Sequence, residues 1–170
     1  MIIRATNKLL NISRINPVRC DHILDGSLPG EWYASLLSTG RMGGSVIHLL
    51  HNPTMVSVFV PGKSLRVAVK ALPERLEALL GRNGFGELFP VYMMDTECKI
   101  FASDNRSVIS VMVQMRQNLE DELFDIWEIS DEVFVSLEDH CLDYLIGGQI
   151  SKQRGKMFVS AREILEQLFK

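Results

Sequence analysis

Trp32-Tyr33-Ala34-Ser35-Leu36-Leu37-Ser38-Thr39, Ser45-Val46-Ile47-His48-Leu49-Leu50-His51 and Met55-Val56-Ser57-Val58-Phe59-Val60 are three runs of strand length, rich in β-branched and aromatic residues. Their connectors are short: Gly40-Arg41-Met42-Gly43-Gly44 and Asn52-Pro53-Thr54. A parallel crossover needs about a dozen residues or more, so these connectors predict a three-stranded antiparallel meander. Val46, Ile47, Leu49 and Leu50 put apolar groups on both faces of the middle run, which predicts a strand covered on both sides.

Upstream, Ile2-Ile3-Arg4-Ala5 reads as an opening strand, and Thr6 can cap a helical turn through Leu9 and Leu10. Residues 11–30 hold Asn16-Pro17, Asp25-Gly26 and Pro29-Gly30 and read as irregular. Downstream the period changes. Ser64 can cap a helix with Leu65, Ala68, Val69 and Leu72 inward. Pro73 suits the first turn of a second piece carrying Leu76, Leu79 and Leu80. Cys98 to Ala102 reads as a strand. From Asn105 onward, Val108, Met112, Met115, Leu119 and Leu123 form one helical stripe. Glu132 to Val135 reads as a further strand, followed by a capping box at Ser136-Leu137-Glu138-Asp139 and a helix with Leu142, Leu145 and Ile146 inward. Ser160-Ala161-Arg162-Glu163 opens a last helix with Ala161, Ile164, Leu165 and Leu168 on one face. Met93, Met94, Met112 and Met115 read as core fillers. The sum is one α+β domain over residues 1–170, an antiparallel or mixed sheet with a three-stranded meander, packed by several helices.

The Met1–Lys170 chain is 46% hydrophobic, enough for a core, and no stretch is apolar and long enough to read as a membrane span. Charge is uneven. Residues 1–83 carry ten basic and five acidic side chains, and residues 84–170 carry eight basic and sixteen acidic, for a net −3. Between Arg116 and Lys152 there is no Lys or Arg, while Glu120, Asp121, Glu122, Asp125, Glu128, Asp131, Glu132, Glu138, Asp139 and Asp143 fall there. This polarity fits a protein partner or a homodimer held through charged surfaces, while a solvated surface is the plainer account of the acids. A basic stripe of Arg41, Lys63, Arg66, Lys70, Arg75 and Arg82 would be needed for nucleic acid, which the scarcity of aromatic neighbours disfavours. Cys20, Cys98 and Cys141 lack CxxC spacing and, with no apolar leader at Met1, read as free thiols of a cytoplasmic protein.

Ile2-Ile3-Arg4-Ala5-Thr6-Asn7-Lys8-Leu9-Leu10, Trp32-Tyr33-Ala34, the Val46–Ser57 hairpin and Asn105-Arg106-Ser107-Val108-Ile109 together resemble a family of small, uncharacterised, mainly bacterial proteins catalogued as a domain of unknown function. Members of that family often have Gly where Ser110 stands and Asn where Val113 stands. The resemblance implies a single cytoplasmic domain and no assigned catalytic residue.

Two sets of residues are candidates for chemistry. Asn105, Arg106 and Ser107 open a helix whose free N–H groups and guanidinium can take an anion, joined by Arg4 and Lys8 if the first strand lies beside the Cys98–Ala102 strand. The plainer reading is a helix cap with Arg106 paired to a carboxylate. His48 and His51 are the candidates for acid/base work, although their spacing sends them to opposite faces of a strand. Asp139 and Asp143 share a helical face, but no HExxH, CxxC or EF-hand pattern occurs, and no metal or cofactor is expected. There is no GxSxG elbow, and Cys98 reads as a small buried hydrophobe. The sequence therefore favours a non-enzymatic binding or regulatory module. The rival is an enzyme or binding protein acting on a phosphorylated ligand or nucleic acid at the start of the long helix.

Overall fold

A computed structural model describes residues 1–18, 28–40, 44–124 and 130–169. Expectations resting on Cys20, Asp25-Gly26, Arg41-Met42-Gly43, Asp125 and Glu128 lie outside those residues. Strand β1 (Ile2–Ala5) runs parallel to β2 (Glu31–Ser38) on one side. On the other side it runs parallel to the last strand, β5 (Lys99–Ala102). β2, β3 (Ser45–Asn52) and β4 (Ser57–Pro61) pair antiparallel, giving the order β4-β3-β2-β1-β5. The sheet is therefore mixed, which corrects the antiparallel expectation. Short connectors dictate antiparallel pairing only for the strands they join. β1 and β2 are separated by helix α1 (Asn7–Ser13) and the residues after it, long enough for a parallel crossover. β3 is buried at every position from Val46 to His51, as its two apolar faces require.

Among the described residues, six α-helices and one 3-10 helix (Gly86–Tyr92) pack this sheet. α2 (Leu65–Arg82) is continuous through Pro73, where two pieces were expected. Proline inside a helix costs about 3 kcal/mol. Leu65, Ala68 and Leu72 before it and Leu76, Leu79 and Leu80 after it form one buried stripe. Each buried leucine returns about 1.5–3 kcal/mol, so the stripe outweighs the break. α3 (Arg106–Phe124) buries Val108, Met112, Met115, Leu119 and Leu123, the stripe its periodicity predicts.

α4 (Asp131–Asp143) replaces the expected Glu132–Val135 strand and starts ahead of the Ser136 capping box. Phe134, Leu137, Glu138, Cys141 and Leu142 are buried at helical spacing, and that stripe overrides the local strand propensity of Val133–Val135. A short α5 (Gln149–Gln153) precedes α6 (Ala161–Phe169), where the Glu163 amide donates to Ser160 Oγ at 3.2 Å as the box spacing predicts. Leu145, Leu168 and Met93 are exposed and not inward as expected: Leu145 lies past the end of α4, Met93 just past the 3-10 helix, and Leu168 in the last turn of α6.

The acidic run meets the basic half inside the same chain. Glu138 is 1% exposed. Its Oε1 accepts from the Phe59 amide of edge strand β4 at 3.2 Å, and its Oε2 accepts from Arg82 at 2.8 Å. Arg75 lies 3.6 Å from the same carboxylate and pairs with Asp131, while Arg82 also pairs with Asp139. Burial pushes the Glu138 carboxyl up, and the Arg82 bond and the Phe59 amide oppose that rise. Replacing Glu138 with alanine leaves the Phe59 amide without its acceptor and two guanidinium groups with only the more exposed Asp131 and Asp139. The expected loss is about 3 kcal/mol of unfolding free energy, measured by urea denaturation, with E138Q less damaging because its amide oxygen still accepts.

Candidate functional site

The first turns of α3 form one wall of a cleft of about 280 Å³. Arg106, Ser107, Ser110 and Gln114 recur three or four residues apart, so they share one helical face. Gly147 and Gly148 form the facing wall, and Val111 and Ile150 line the cleft between them. The second wall is held by a two-way bridge between Ile146 and Val159, at 2.8 and 2.9 Å. Gly148 has φ +83, a left-handed conformation that a side chain would strain. A Cβ on Gly147 would stand 3.1 Å from the Phe158 ring, a tight contact that the glycine avoids.

The helix start itself is already capped. Asn105 Oδ1 accepts from the amides of Ser107 at 3.0 Å and Val108 at 3.4 Å. Asn105 is thus a cap, and recognition in the cleft falls to side chains. Arg106 is exposed and forms no ion pair among the described residues.

β1 does lie beside β5, yet Arg4 does not reach the cleft. It is 2% exposed and held by Glu31 Oε2 at 2.7 Å and Asp104 Oδ2 at 2.9 Å. Tyr33 donates to the same Glu31 oxygen at 3.1 Å, and the guanidinium sits 5.7 Å from the Phe101 ring centre. The Glu31 bond raises the Arg4 pKa, and burial beside Glu31 raises that of the Tyr33 phenol. Arg4 and Arg116 line a separate space of about 70 Å³. Lys8 is remote too. Its charge acts on Glu120, fourteen residues beyond Arg106, about 21 Å along α3 at the helical rise. Of the five expected anion-binding residues, the cleft gathers Arg106 and Ser107.

His48 and His51 lie in the packing of the sheet. His48 Nε2 pairs with Ser57 Oγ at 2.9 Å, its ring stacks on Phe59 at 4.9 Å, and its Nδ1 has no partner among the described residues. His51 Nε2 faces the Pro29 carbonyl at 2.8 Å, which only accepts, so that nitrogen carries the proton. Its Nδ1 then accepts from Thr54 Oγ1 at 2.7 Å, which in turn accepts from Tyr92 at 3.2 Å. Gly30, at φ +72, leaves room for this arrangement: a Cβ there would stand 2.7 Å from His51 Nε2. Burial pulls His48 down to about 3 and His51 to about 4. Both rings are fully buried, which leaves neither a path to a dissolved substrate.

Cys141 is also sealed, hydrogen-bonded to Ser57 and pushed up to about 12 by burial. Cys98 is half-buried just before β5, and burial raises its thiol as well. Among the described residues no three His, Cys, Asp or Glu side chains gather to hold a metal ion. Asp143, paired with Arg162 at 2.6 Å, is held below the usual carboxylate range by that bond.

Ser110, Gln114, Gly147 and Gly148 escape the sequence reading. A polar 106-110-114 spacing on the α3 face is visible in the sequence, but Gly147 reads there only as the stop of the preceding helix. A family model described as Domain of unknown function (DUF6933) matches residues 2–153, a span that includes both walls of the cleft. No curated protein and no solved structure matches the chain.

The buried imidazoles set a pH dependence. The folded protein keeps both neutral, whereas an unfolded histidine titrates near 6.5. Below that pH the unfolded chain binds protons that the folded chain refuses, so stability is full above about pH 6.5 and falls toward pH 4. Between pH 7 and pH 5 the expected loss is about 4 kcal/mol for the two rings. Carboxylates such as Asp143, held low, lose their contribution only at lower pH. Urea titrations at pH 7, 6 and 5 read this out, and a flat profile would mean the rings are not sealed.

Proposed function

The chain belongs to the DUF6933 family, a domain of unknown function, and on that premise we propose that it is a non-enzymatic, single-domain binding module. It holds a small anion-bearing ligand, such as a phosphate ester, between α3 and the Gly147-Gly148 turn. The observation that carries this reading is Arg106: an exposed guanidinium without an ion pair among the described residues, at a cleft of about 280 Å³ whose other polar side chains are Ser107, Ser110 and Gln114. A guanidinium fork matches phosphate or carboxylate bidentately, and the two hydroxyls and the amide add neutral donors around it. Val111 and Ile150 supply apolar contact for the body of a ligand. The buried, neutral state of His48 and His51 supports binding over catalysis, since no general acid or base stands at the cleft among the described residues. Its setting on this reading is the cytoplasm. Among the described residues no helix is long and apolar enough to cross a membrane. The nucleic-acid variant loses support because Arg75 and Arg82 are engaged by Asp131, Glu138 and Asp139.

The test is an amide NMR titration with inorganic phosphate and with phenyl phosphate. Shifts are expected at Ser107, Ser110, Gln114, Gly147 and Gly148, with the aryl ester binding more tightly. Arg106→Gln should weaken binding by about 10-fold or more, the value of a charge-assisted bond of ~1.5–3 kcal/mol. Absence of shifts in that set at millimolar concentrations of both probes would remove the reading.

A further inference from the structure

α2 is compensated by its own chain in one half and not in the other. In the C-terminal half, Arg75 and Arg82 meet Asp131, Glu138 and Asp139. In the N-terminal half, Lys63 precedes the Ser64 cap, and Arg66 and Lys70 stand one turn apart on the exposed side. Among the described residues none of these three forms an ion pair. The first turn of α2 contains no acid. Two local rules are broken together. A helix start carries partial positive charge and favours acids, and like charges at i and i+4 repel. Among the described residues no ion pair offsets either fault, with Glu74 the one acid a turn beyond Lys70, and violations of this kind concentrate at functional surfaces.

The same face carries an apolar group. Val67 is 56% exposed, between Arg66 and Lys70. Ser13 ties the end of α1 to the start of α2 through the Lys63 carbonyl at 2.9 Å and the Leu65 amide at 3.1 Å, which brings exposed Arg14 to this edge.

We propose that the N-terminal half of α2 is a docking surface for an acidic protein segment bearing an apolar side chain. The cations supply the charge complement, their spacing matches acids one helical turn apart, and Val67 is the apolar contact. Charge complementarity favours this occupant over nucleic acid. Lys63 through Lys70 contains no aromatic side chain on which a base could stack, and three cations neutralise few phosphates. The surface is independent of the α3 cleft, and either assignment can fail without the other.

The experiment is fluorescence anisotropy on the full chain with a labelled helical peptide carrying glutamates at i and i+4 around a leucine. An oligothymidine and phosphatidylserine vesicles serve as rival probes, and sedimentation of the protein alone reports self-association. Peptide binding is expected, weakening by about 10-fold or more as salt rises from low to several hundred millimolar. The triple reversal K63E/R66E/K70E should abolish it while raising Tm by about 1–3 °C, because acids at the helix start favour folding. Val67→Ser should weaken peptide binding several-fold with little change in Tm. No peptide binding at low salt, tighter binding of the oligonucleotide or vesicles, salt-sensitive self-association with no peptide binding, or binding that survives the triple reversal would each overturn the proposal.

Discussion

One carboxylate joins three elements of this protein. Glu138 on α4 accepts from an amide of edge strand β4 and from Arg82 of α2, with Arg75 beside it. A buried charge is tolerated only when its acceptor capacity is filled, and here a strand amide and guanidinium groups fill it. The same contact answers two structural needs. It satisfies an N–H on the sheet edge, where an open strand invites pairing with another chain. It also fixes α2 against α4, the two helices that cover β4. The acids and bases that look segregated along the chain are in this region each other's partners.

A second ionic knot works at the other side of the sheet. Arg4, in the interior strand β1, ties β2 through Glu31 and the segment after β5 through Asp104. It thereby positions the start of α3, whose Asn105 cap follows at once. The cleft owes its placement to that knot, although Arg4 lines a different space. Charge inside the sheet thus serves geometry, while Arg106 at the cleft stands outside the knot.

The histidines illustrate how burial decides chemistry. Each is a residue type suited to proton transfer near neutral pH, but burial keeps both imidazoles neutral there. His51 becomes a joint between β3, the Pro29 turn and Tyr92. His48 and Ser57 bind β3 to β4, and Cys141 reaches the same serine from α4. These polar links lock the register of a sheet that is otherwise apolar on both faces.

Local pattern was legible where it was strong. The β2–β4 runs, the α3 stripe and the Ser160 box were readable because alternation, a 3.6-residue period and cap spacing are properties of neighbouring residues. Arg106 and Ser107 were readable as site candidates for the same reason. Pro73 and the Val133–Val135 run were misread because local propensity lost to buried stripes that extend over many turns. The mixed sheet, the burial of Arg4, Glu31, Glu138 and both histidines, and the meeting of α3 with Gly147-Gly148 were not legible. Each depends on residues tens of positions apart, and a side chain's environment is set by what the fold brings to it. The sequence by itself determined the β2–β4 runs, the α3 stripe and the charge asymmetry. Only the tertiary structure decided which charges neutralise one another, which rings are sealed, and which guanidinium remains exposed at a cleft.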